Sequence, residues 1–197
     1  LLVRHGESEA DILGVHEGRA DFPLTERGQQ QALRLSTWLK ENEAFDEILA
    51  SPLKRARQTA EYIAQATGTP LTLDDQLMEW DNGLLAGMSR EEANLKYPLP
   101  EGGRKGHHKH ANTESMIEFR SRAEAFVSQL KETYSMEARL CIVSHGGMIN
   151  MLYQALMGLP MGSGMTIACG DTSIHRFELK TGGVHTVYIN RIQHLEA

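Results

Sequence analysis

Short, continuously apolar runs alternate with longer amphipathic segments along this chain. Strands are predicted at "LLV", "FDEILAS" and "LCIV", which begin at positions 1, 45 and 140, and "LLV" has the composition of a strand that is covered on both faces. The segments after each run change to apolar residues at helical spacing. The pattern therefore predicts strands that alternate with helices.

Capping residues set the expected ends of the first two long helices. The helix after "LLV" is predicted to begin at Thr25, a favourable N-cap residue. The helix after "FDEILAS" is predicted to have Ser51 as its N-cap, Pro52 at its first position and Gly68 at its end. Both segments read as amphipathic helices that cover a sheet.

The second half of the chain repeats this alternation. Residues 118–134 place five apolar side chains on one helical face, at Phe119, Ala123, Phe126, Val127 and Leu130. A mostly buried helix is predicted over 146–158, followed by a hairpin that turns at Gly182–Gly183. We expect an α/β fold over residues 1–197, a single domain with a largely parallel sheet and its ligand site at the carboxyl ends of the strands.

Composition narrows the partners and the compartment. The chain has 197 residues, 41% hydrophobic content and a net charge of -6, without a polybasic run, so nucleic acid is not an expected partner. No apolar run is long enough to cross a membrane. Cys141 and Cys169 form neither a disulfide framework nor a metal quartet, which fits a reducing cytoplasm. A homodimer is an open alternative to a monomer, and the start at Leu1 leaves open what precedes it.

Two histidines end two of the predicted strands in the same way. His5 and His145 each stand one residue after an apolar triplet and precede a glycine, Gly6 or Gly146, which lets a ligand come close. A single strand-end histidine more often has a structural hydrogen bond. Two matched histidines with Arg4 beside the first instead favour an anion site, because a guanidinium presents several donors to phosphate oxygens.

A second arginine is expected from the helix after the second strand. Arg55 and Arg57 both lie near the start of that helix, where free backbone N–H groups favour an anion. The spacing alone does not choose between them, although Arg57 is expected to lie nearer the apolar face.

An ordered set of motifs resembles the histidine phosphatase superfamily, in its phosphoglycerate mutase-like branch. The resemblance spans residue 1 to about residue 156, with a further similar segment at "GDTSI". The motifs are "LLVRHGES", "DFPLTERGQQQA", "SPLKRARQTA", "LMEWDNGLLAG" and "VSHGGMI".

This resemblance implies a fold and a set of roles. The fold would be a three-layer α/β/α sandwich, and the activity would pass through a phosphohistidine. The nucleophile would be His5, with phosphate bound by Arg4, Arg55 and His145, while Glu79 would be the proton donor. Gly146 would complete the phosphate pocket.

The chemistry requires these residue types on independent grounds. A neutral imidazole nitrogen can attack phosphorus if its other ring nitrogen holds the proton, oriented by an acceptor such as a backbone carbonyl. Two arginines and a second imidazole can gather the equatorial oxygens, so neither a metal nor a cofactor is expected. Glu79 can protonate the leaving alkoxide and then deprotonate water.

Two positions depart from the family pattern. Asp11 and Glu17 stand where the family commonly has Asn and Gln, and a carboxylate cannot donate a hydrogen bond to phosphate unless it is protonated. We expect the loop to turn both side chains into solvent. The alternative is an adapted pocket, in which the two carboxylates recognise a cationic substrate group or a cation beside the phosphate.

A polar segment at about 97–115 is predicted to be a lid-like loop, since its Pro and Gly residues interrupt any periodicity. His107, His108 and His110 invite a metal interpretation, but their spacing does not match a structural zinc site. A solvated, partly positive loop that attracts anions is the favoured interpretation.

Three functions are compatible with these residues. A phosphomonoester hydrolase that acts on a small phosphorylated substrate is favoured. The phosphoglycerate mutases of the family that this chain resembles carry extra lid segments, and this chain is short there. A cofactor-dependent phosphoglycerate mutase is the alternative. A non-catalytic binder of phosphorylated ligands is the third, although such a protein would be expected to have lost His5, Glu79 or His145, which are all present.

Overall fold

The computed structural model describes residues 1–196, which form one mixed sheet of six strands between two layers of helices. The strands follow the order β3-β2-β4-β1-β5-β6 across the sheet. Their bounds are β1 Leu2–Arg4, β2 Glu47–Ala50, β3 Leu71–Leu73, β4 Leu140–Ser144, β5 Ile174–Lys180 and β6 Gly183–Arg191.

Strands β1 to β4 run parallel to one another, and the C-terminal hairpin of β5 and β6 adds two antiparallel pairings. β4 pairs in parallel with both β1 and β2, while β5 pairs antiparallel with β1 and with β6. The predicted α/β architecture and the C-terminal hairpin are therefore confirmed. The strand β3 was not predicted, because its three residues at the sheet edge carry too short a pattern.

Helices cover both faces of this sheet. Within the part of the chain that the structure describes, no helix is long and apolar enough to cross a membrane. Two of the α-helices are short, α1 and α4. The bounds are α1 Glu9–Leu13, α2 Glu26–Asn42, α3 Lys54–Thr67, α4 Arg90–Lys96, α5 Met116–Thr133 and α6 Gly146–Leu156.

Two apolar clusters hold the three layers together. One lies between the sheet and α5 and α6, and contains Phe119, Phe126 and Ile142. The other lies between the sheet and α2 and α3, around Leu35 and Ile63. Burial of these side chains stabilises the fold, at about 1.5–3 kcal/mol for each large apolar side chain.

The caps confirm most of the predicted helix ends. The Thr25 hydroxyl accepts the N–H of Gly28 at the start of α2, and Gly68 ends α3 with a left-handed backbone at φ 74°. The start of α3 was predicted wrongly: the helix begins at Lys54, and Leu53 rather than Ser51 is its N-cap.

Candidate active site

Two neighbouring parallel strands bring the two strand-end histidines together. Arg4 of β1 is in register with Ser144 of β4, so the next residues, His5 and His145, lie side by side at the carboxyl edge of the sheet. Their ring centroids are 5.0 Å apart. Both side chains are buried, and the predicted closeness of the two histidines is confirmed.

The ring of His5 has a defined tautomer. Its Nδ1 lies 2.7 Å from the carbonyl oxygen of Gly6, which can only accept, so Nδ1 carries the proton. The lone pair of Nε2 accepts a hydrogen bond from Arg55 Nε at 3.2 Å. Burial, followed by the charges of Arg55 and Arg4, lowers the pKa of His5 well below 6.5. The ring is therefore a neutral imidazole at neutral pH, as a nucleophile requires.

Arg55 is the arginine that faces this nitrogen. Its Nε lies 3.2 Å from His5 Nε2, and its two other nitrogens donate to the carbonyl oxygens of Gly18, at 2.8 Å, and Ala20, at 3.1 Å. The side chain is 0% exposed. The expectation that Arg57 lies nearer the apolar face was wrong, because Arg57 is partly exposed and pairs with Glu61 at the surface.

Arg4 approaches the site from β1. Its Nη1 donates to the carbonyl oxygen of Cys169 at 2.7 Å, and its Nη2 lies 3.4 Å from Asp171, in the "GDTSI" segment. Arg4 Nε is buried without a partner in residues 1–196. A Cβ at Gly146 would lie 3.9 Å from this nitrogen, so the glycine borders the open donor.

His145 supplies a second open polar atom. Its Nε2 lies 2.8 Å from the Ser51 hydroxyl, while its Nδ1 is buried without a hydrogen-bond partner among the described residues. Ser51 therefore orients the second histidine, a role that its position before a proline did not reveal. Burial, then the positive charge of Arg55, lowers the pKa of His145 well below 6.5.

These groups fit an oxyanion better than a cation. Arg4 Nε is a donor without an acceptor, and buried donors in native proteins normally have one. Arg55 Nε lies 3.2 Å from His5 Nε2, the His145 ring lies 5.0 Å from the His5 ring, and the charge of Arg4 is near enough to lower the pKa of His5. The geometry thus brings together four of the predicted site residues.

Glu79 reaches the same edge from the loop after β3. Its carboxylate accepts the N–H of Gly147, at 2.8 Å, and of Trp80, also at 2.8 Å. Gly147 is the second residue of α6, so the carboxylate lies at the start of the helix that follows His145. A side chain at Gly147 would collide with the carboxylate, which explains the glycine.

An arginine of α5 holds the loop that carries Glu79. Arg122 donates to the carbonyl oxygens of Gln76, Met78 and Glu79, at 2.7, 2.5 and 3.2 Å. It also forms an ion pair with Glu114, at 2.9 Å. Sequence reasoning missed this clamp, because its partners lie more than forty positions away and are backbone atoms.

The two unusual carboxylates do not both point into solvent. Glu17 lies 3.1 Å from Arg55 Nε and its side chain is only 18% exposed, so the expectation for this residue was wrong. Asp11 is 39% exposed, but its carboxylate accepts the Ser8 N–H, and it lies 3.9 Å from Arg4. Both therefore face the arginines and reduce the positive charge available to an anion.

The segment predicted as a lid has little regular structure. Within 97–115 the chain forms one 3-10 turn at His110–Asn112 and is otherwise irregular. The His107 and His108 rings contact each other, while His110 contacts the carbonyl oxygen of Tyr97 at 2.9 Å. Across residues 1–196 no three His, Cys, Asp or Glu side chains are grouped as metal ligands.

The fold and the site define a class of α/β proteins with two neighbouring histidines at the carboxyl ends of parallel strands, and sequence comparison assigns the family. The model of the histidine phosphatase superfamily (branch 1) matches residues 1–192. This chain therefore belongs to the histidine phosphatase superfamily.

The chain is similar to curated proteins and to proteins of known structure. A probable phosphoglycerate mutase from Escherichia fergusonii is 34% identical over 182 residues, which cover 90% of this chain and 83% of that protein. A putative alpha-ribazole-5'-P phosphatase from Escherichia coli has a TM-score of 0.85 and 25% identity, covering 97% of this chain and 95% of that one. A phosphoserine phosphatase variant from Entamoeba histolytica, solved with phosphoserine, has a TM-score of 0.79 and 28% identity, covering 98% and 97%.

Proposed function

We propose that this protein hydrolyses phosphomonoesters of small metabolites through a phosphohistidine at His5. The observation that carries the proposal is the position of His5 Nε2. This nitrogen keeps its lone pair on a neutral ring and accepts the Nε–H of Arg55 at 3.2 Å. Arg4, whose Nε is an open donor, lies near enough for its charge to lower the pKa of His5. A phosphoryl group placed there would meet a nucleophile and positive charge together.

In the first step, His5 Nε2 forms a bond to phosphorus while the ester P–O bond breaks. Arg4, Arg55 and His145 would hold the three equatorial oxygens, where the charge of the transition state concentrates. The Nδ1–H of His5 remains bonded to the Gly6 carbonyl, which stabilises the ring as it gains positive character. Gly146 leaves room for the oxygens beside Arg4.

Glu79 would move the protons. In its protonated form it would give its proton to the leaving alkoxide, and the resulting carboxylate would then accept a proton from the attacking water. Water forms the new O–P bond as the N–P bond breaks, which regenerates free His5 and releases inorganic phosphate. The Arg122 clamp keeps the Glu79 backbone in place through both steps.

The proposed mechanism needs no metal ion, because the charge of the phosphoryl group is met by guanidinium groups. Turnover should therefore be unaffected by EDTA. A loss of activity that only a divalent cation restores would contradict this part of the proposal.

The mutase alternative is supported by the relative from Escherichia fergusonii, which is named a probable phosphoglycerate mutase. The names of two structural relatives, which refer to alpha-ribazole-5'-P and to phosphoserine, favour hydrolysis. The non-catalytic alternative is disfavoured by the intact set of His5, Glu79 and His145. We place hydrolysis first and keep the mutase as the second candidate.

A panel of phosphate esters, including phosphoserine and glycerol phosphate, tests the proposal. Release of inorganic phosphate should be observed without any added bisphosphoglycerate. Transfer of phosphate within phosphoglycerate that depends on bisphosphoglycerate, without net phosphate release, would instead establish the mutase. Absence of both activities would favour the binding protein.

A further inference from the structure

One serine hydroxyl near the nucleophile contacts two carboxylates at once. Ser8 Oγ lies 2.5 Å from Glu17 Oε1 and 3.0 Å from Asp11 Oδ2. We call Ser8, Asp11 and Glu17 the Ser8 cluster. It lies between the two arginines of the proposed phosphoryl site, since Asp11 approaches Arg4 and Glu17 approaches Arg55.

The number of protons in the Ser8 cluster does not match its contacts. A hydroxyl has one proton, and an ionised carboxylate has none to give. Ser8 can therefore donate to Asp11 or to Glu17, but not to both. The remaining oxygen–oxygen contact becomes a hydrogen bond only if one carboxyl group carries a proton.

Glu17 is the member of the cluster that takes this proton most readily. Its side chain is 18% exposed, compared with 39% for Asp11. Burial raises the pKa of Glu17 despite the opposing charge of Arg55, and the neighbouring charge of Asp11 acts in the same direction as burial. A protonated Glu17 can donate to Ser8, which can then donate to Asp11.

The charge on Glu17 also decides what Arg55 can do. Arg55 Nε is shared between Glu17, at 3.1 Å, and His5 Nε2, at 3.2 Å, while its other nitrogens are engaged by backbone carbonyls. The N–H of this nitrogen donates to His5 Nε2, and an ionised Glu17 beside it competes for Arg55 with a phosphoryl oxygen at His5. A neutral Glu17 removes this competition.

We propose that Glu17 takes up one proton from solvent when a phosphoryl group binds, and that this proton frees Arg55 for the phosphoryl oxygens. The proposal rests on the proposed function, because it takes the surroundings of His5 to be the phosphoryl site. The charged groups that face Glu17 are Arg4 from β1, Asp11 from α1 and Arg55 from α3, with His5 neutral. Asp21 and Glu79 act through Arg55.

The pH dependence of anion binding follows from this linkage. The pKa of Glu17 is above 4.5 in the free protein and should rise further in the complex. At a pH below the pKa of Glu17 in the free protein, the anion binds tightly, because Glu17 is already neutral. Between the pKa of Glu17 in the free protein and its pKa in the complex, the dissociation constant should increase by about tenfold per pH unit. Above the pKa in the complex, the dissociation constant should be constant and binding should be weak.

Sulfate is a suitable probe, since it remains a dianion over this range and is not hydrolysed. Its dissociation constant should be measured by calorimetry as a function of pH for the wild type, Glu17→Gln and Glu9→Gln. Glu9→Gln is the matched control, because it removes an exposed carboxylate from the same short helix as Asp11. The wild type and Glu9→Gln should share the steep dependence, and Glu17→Gln should bind tightly at every pH.

Calorimetry in buffers with different ionisation enthalpies counts the protons directly. The wild type should take up close to one proton per sulfate in the steep range, and Glu17→Gln should take up none. Sulfate binding by the wild type with no proton uptake, or equal pH dependence in Glu17→Gln, would overturn the proposal and leave the hydrolase intact. Failure of sulfate to bind at any pH would remove the phosphoryl site itself.

Discussion

Replacement of Arg122 by lysine should separate the proton donor from the rest of the site. The guanidinium donates to three carbonyl oxygens of the Glu79 loop, those of Gln76, Met78 and Glu79 itself, and pairs with Glu114. A lysine keeps the positive charge for Glu114, but its single nitrogen cannot reach three carbonyls. The backbone that carries Glu79 therefore loses most of its support.

The magnitude follows from the contacts that are lost. The variant loses two hydrogen bonds from a charged donor, which are worth about 1.5–3 kcal/mol each. The side chain is 14% exposed, so water can replace part of these bonds. We therefore expect the free energy of unfolding to fall by about 2–4 kcal/mol. A displacement of about 1 Å at a reacting group can cost roughly a hundredfold in rate. Turnover of alkyl phosphates should fall by about tenfold to a hundredfold.

The leaving group distinguishes a positioning role from a general loss of structure. p-Nitrophenolate leaves without a proton, whereas an alkoxide needs one, so hydrolysis of p-nitrophenyl phosphate should change by no more than about threefold. The assay is kcat for both esters, measured at a temperature where the variant is fully folded.

Arg120 offers a matched control on the same helix. It is also buried and donates to three oxygens of Gln154 and Leu159, and it pairs with Glu124, but it makes no contact with the Glu79 loop. Arg120→Lys should lower the stability by a similar amount and change both esters equally. If Arg122→Lys also slows both esters equally, the clamp is structural and the assigned role of Arg122 is refuted.

Three further predictions test the rest of the site. His5→Ala should keep the fold but abolish turnover and the acid-labile labelling expected of a phosphohistidine; labelling of the folded variant would disprove the nucleophile. Arg55→Gln should raise the inhibition constant of inorganic phosphate by at least about tenfold, as expected for loss of a charge-assisted contact, whereas Arg57→Gln should leave it unchanged. Burial lowers the pKa of His194 to about 4. Because the unfolded chain binds this proton near pH 6.5, stability should fall between about pH 6.5 and 4, and the melting temperature of His194→Gln should depend less on pH.

Local chemistry was sufficient to predict most of the fold. Thr25 and Gly68 were recognised as helix ends because capping depends on one residue and its immediate neighbours. The placement of His5 and His145 at the same edge of the sheet followed from matched sequences at the carboxyl ends of buried strands. The edge strand Leu71–Leu73 was missed, since three residues do not establish a period.

The predictions from sequence failed where a polar side chain forms hydrogen bonds with groups that are far away in the sequence. The helical spacing placed Arg57 nearer the apolar face than Arg55, but the buried arginine is Arg55. It is buried because the carbonyls of Gly18 and Ala20, from a loop more than thirty positions earlier, accept its N–H groups. Ser51 was assigned to a helix cap by the same local reasoning, although its hydroxyl contacts His145, ninety-four positions later.

The carboxylates around the two arginines have a consequence for turnover as well as for binding. Arg4 contacts Asp11 and Asp171, and Arg55 contacts Glu17, so both guanidinium groups are compensated before an anion arrives. A buried arginine without a partner would be costly, and these pairs lower that cost in the empty site. They also oppose a bound phosphate dianion. A hydrolase must release inorganic phosphate after every cycle, and a site whose arginines return to their carboxylates favours that release. An amide at position 17 would retain phosphate longer, so Glu17→Gln should increase inhibition by the product even where it improves binding of the substrate.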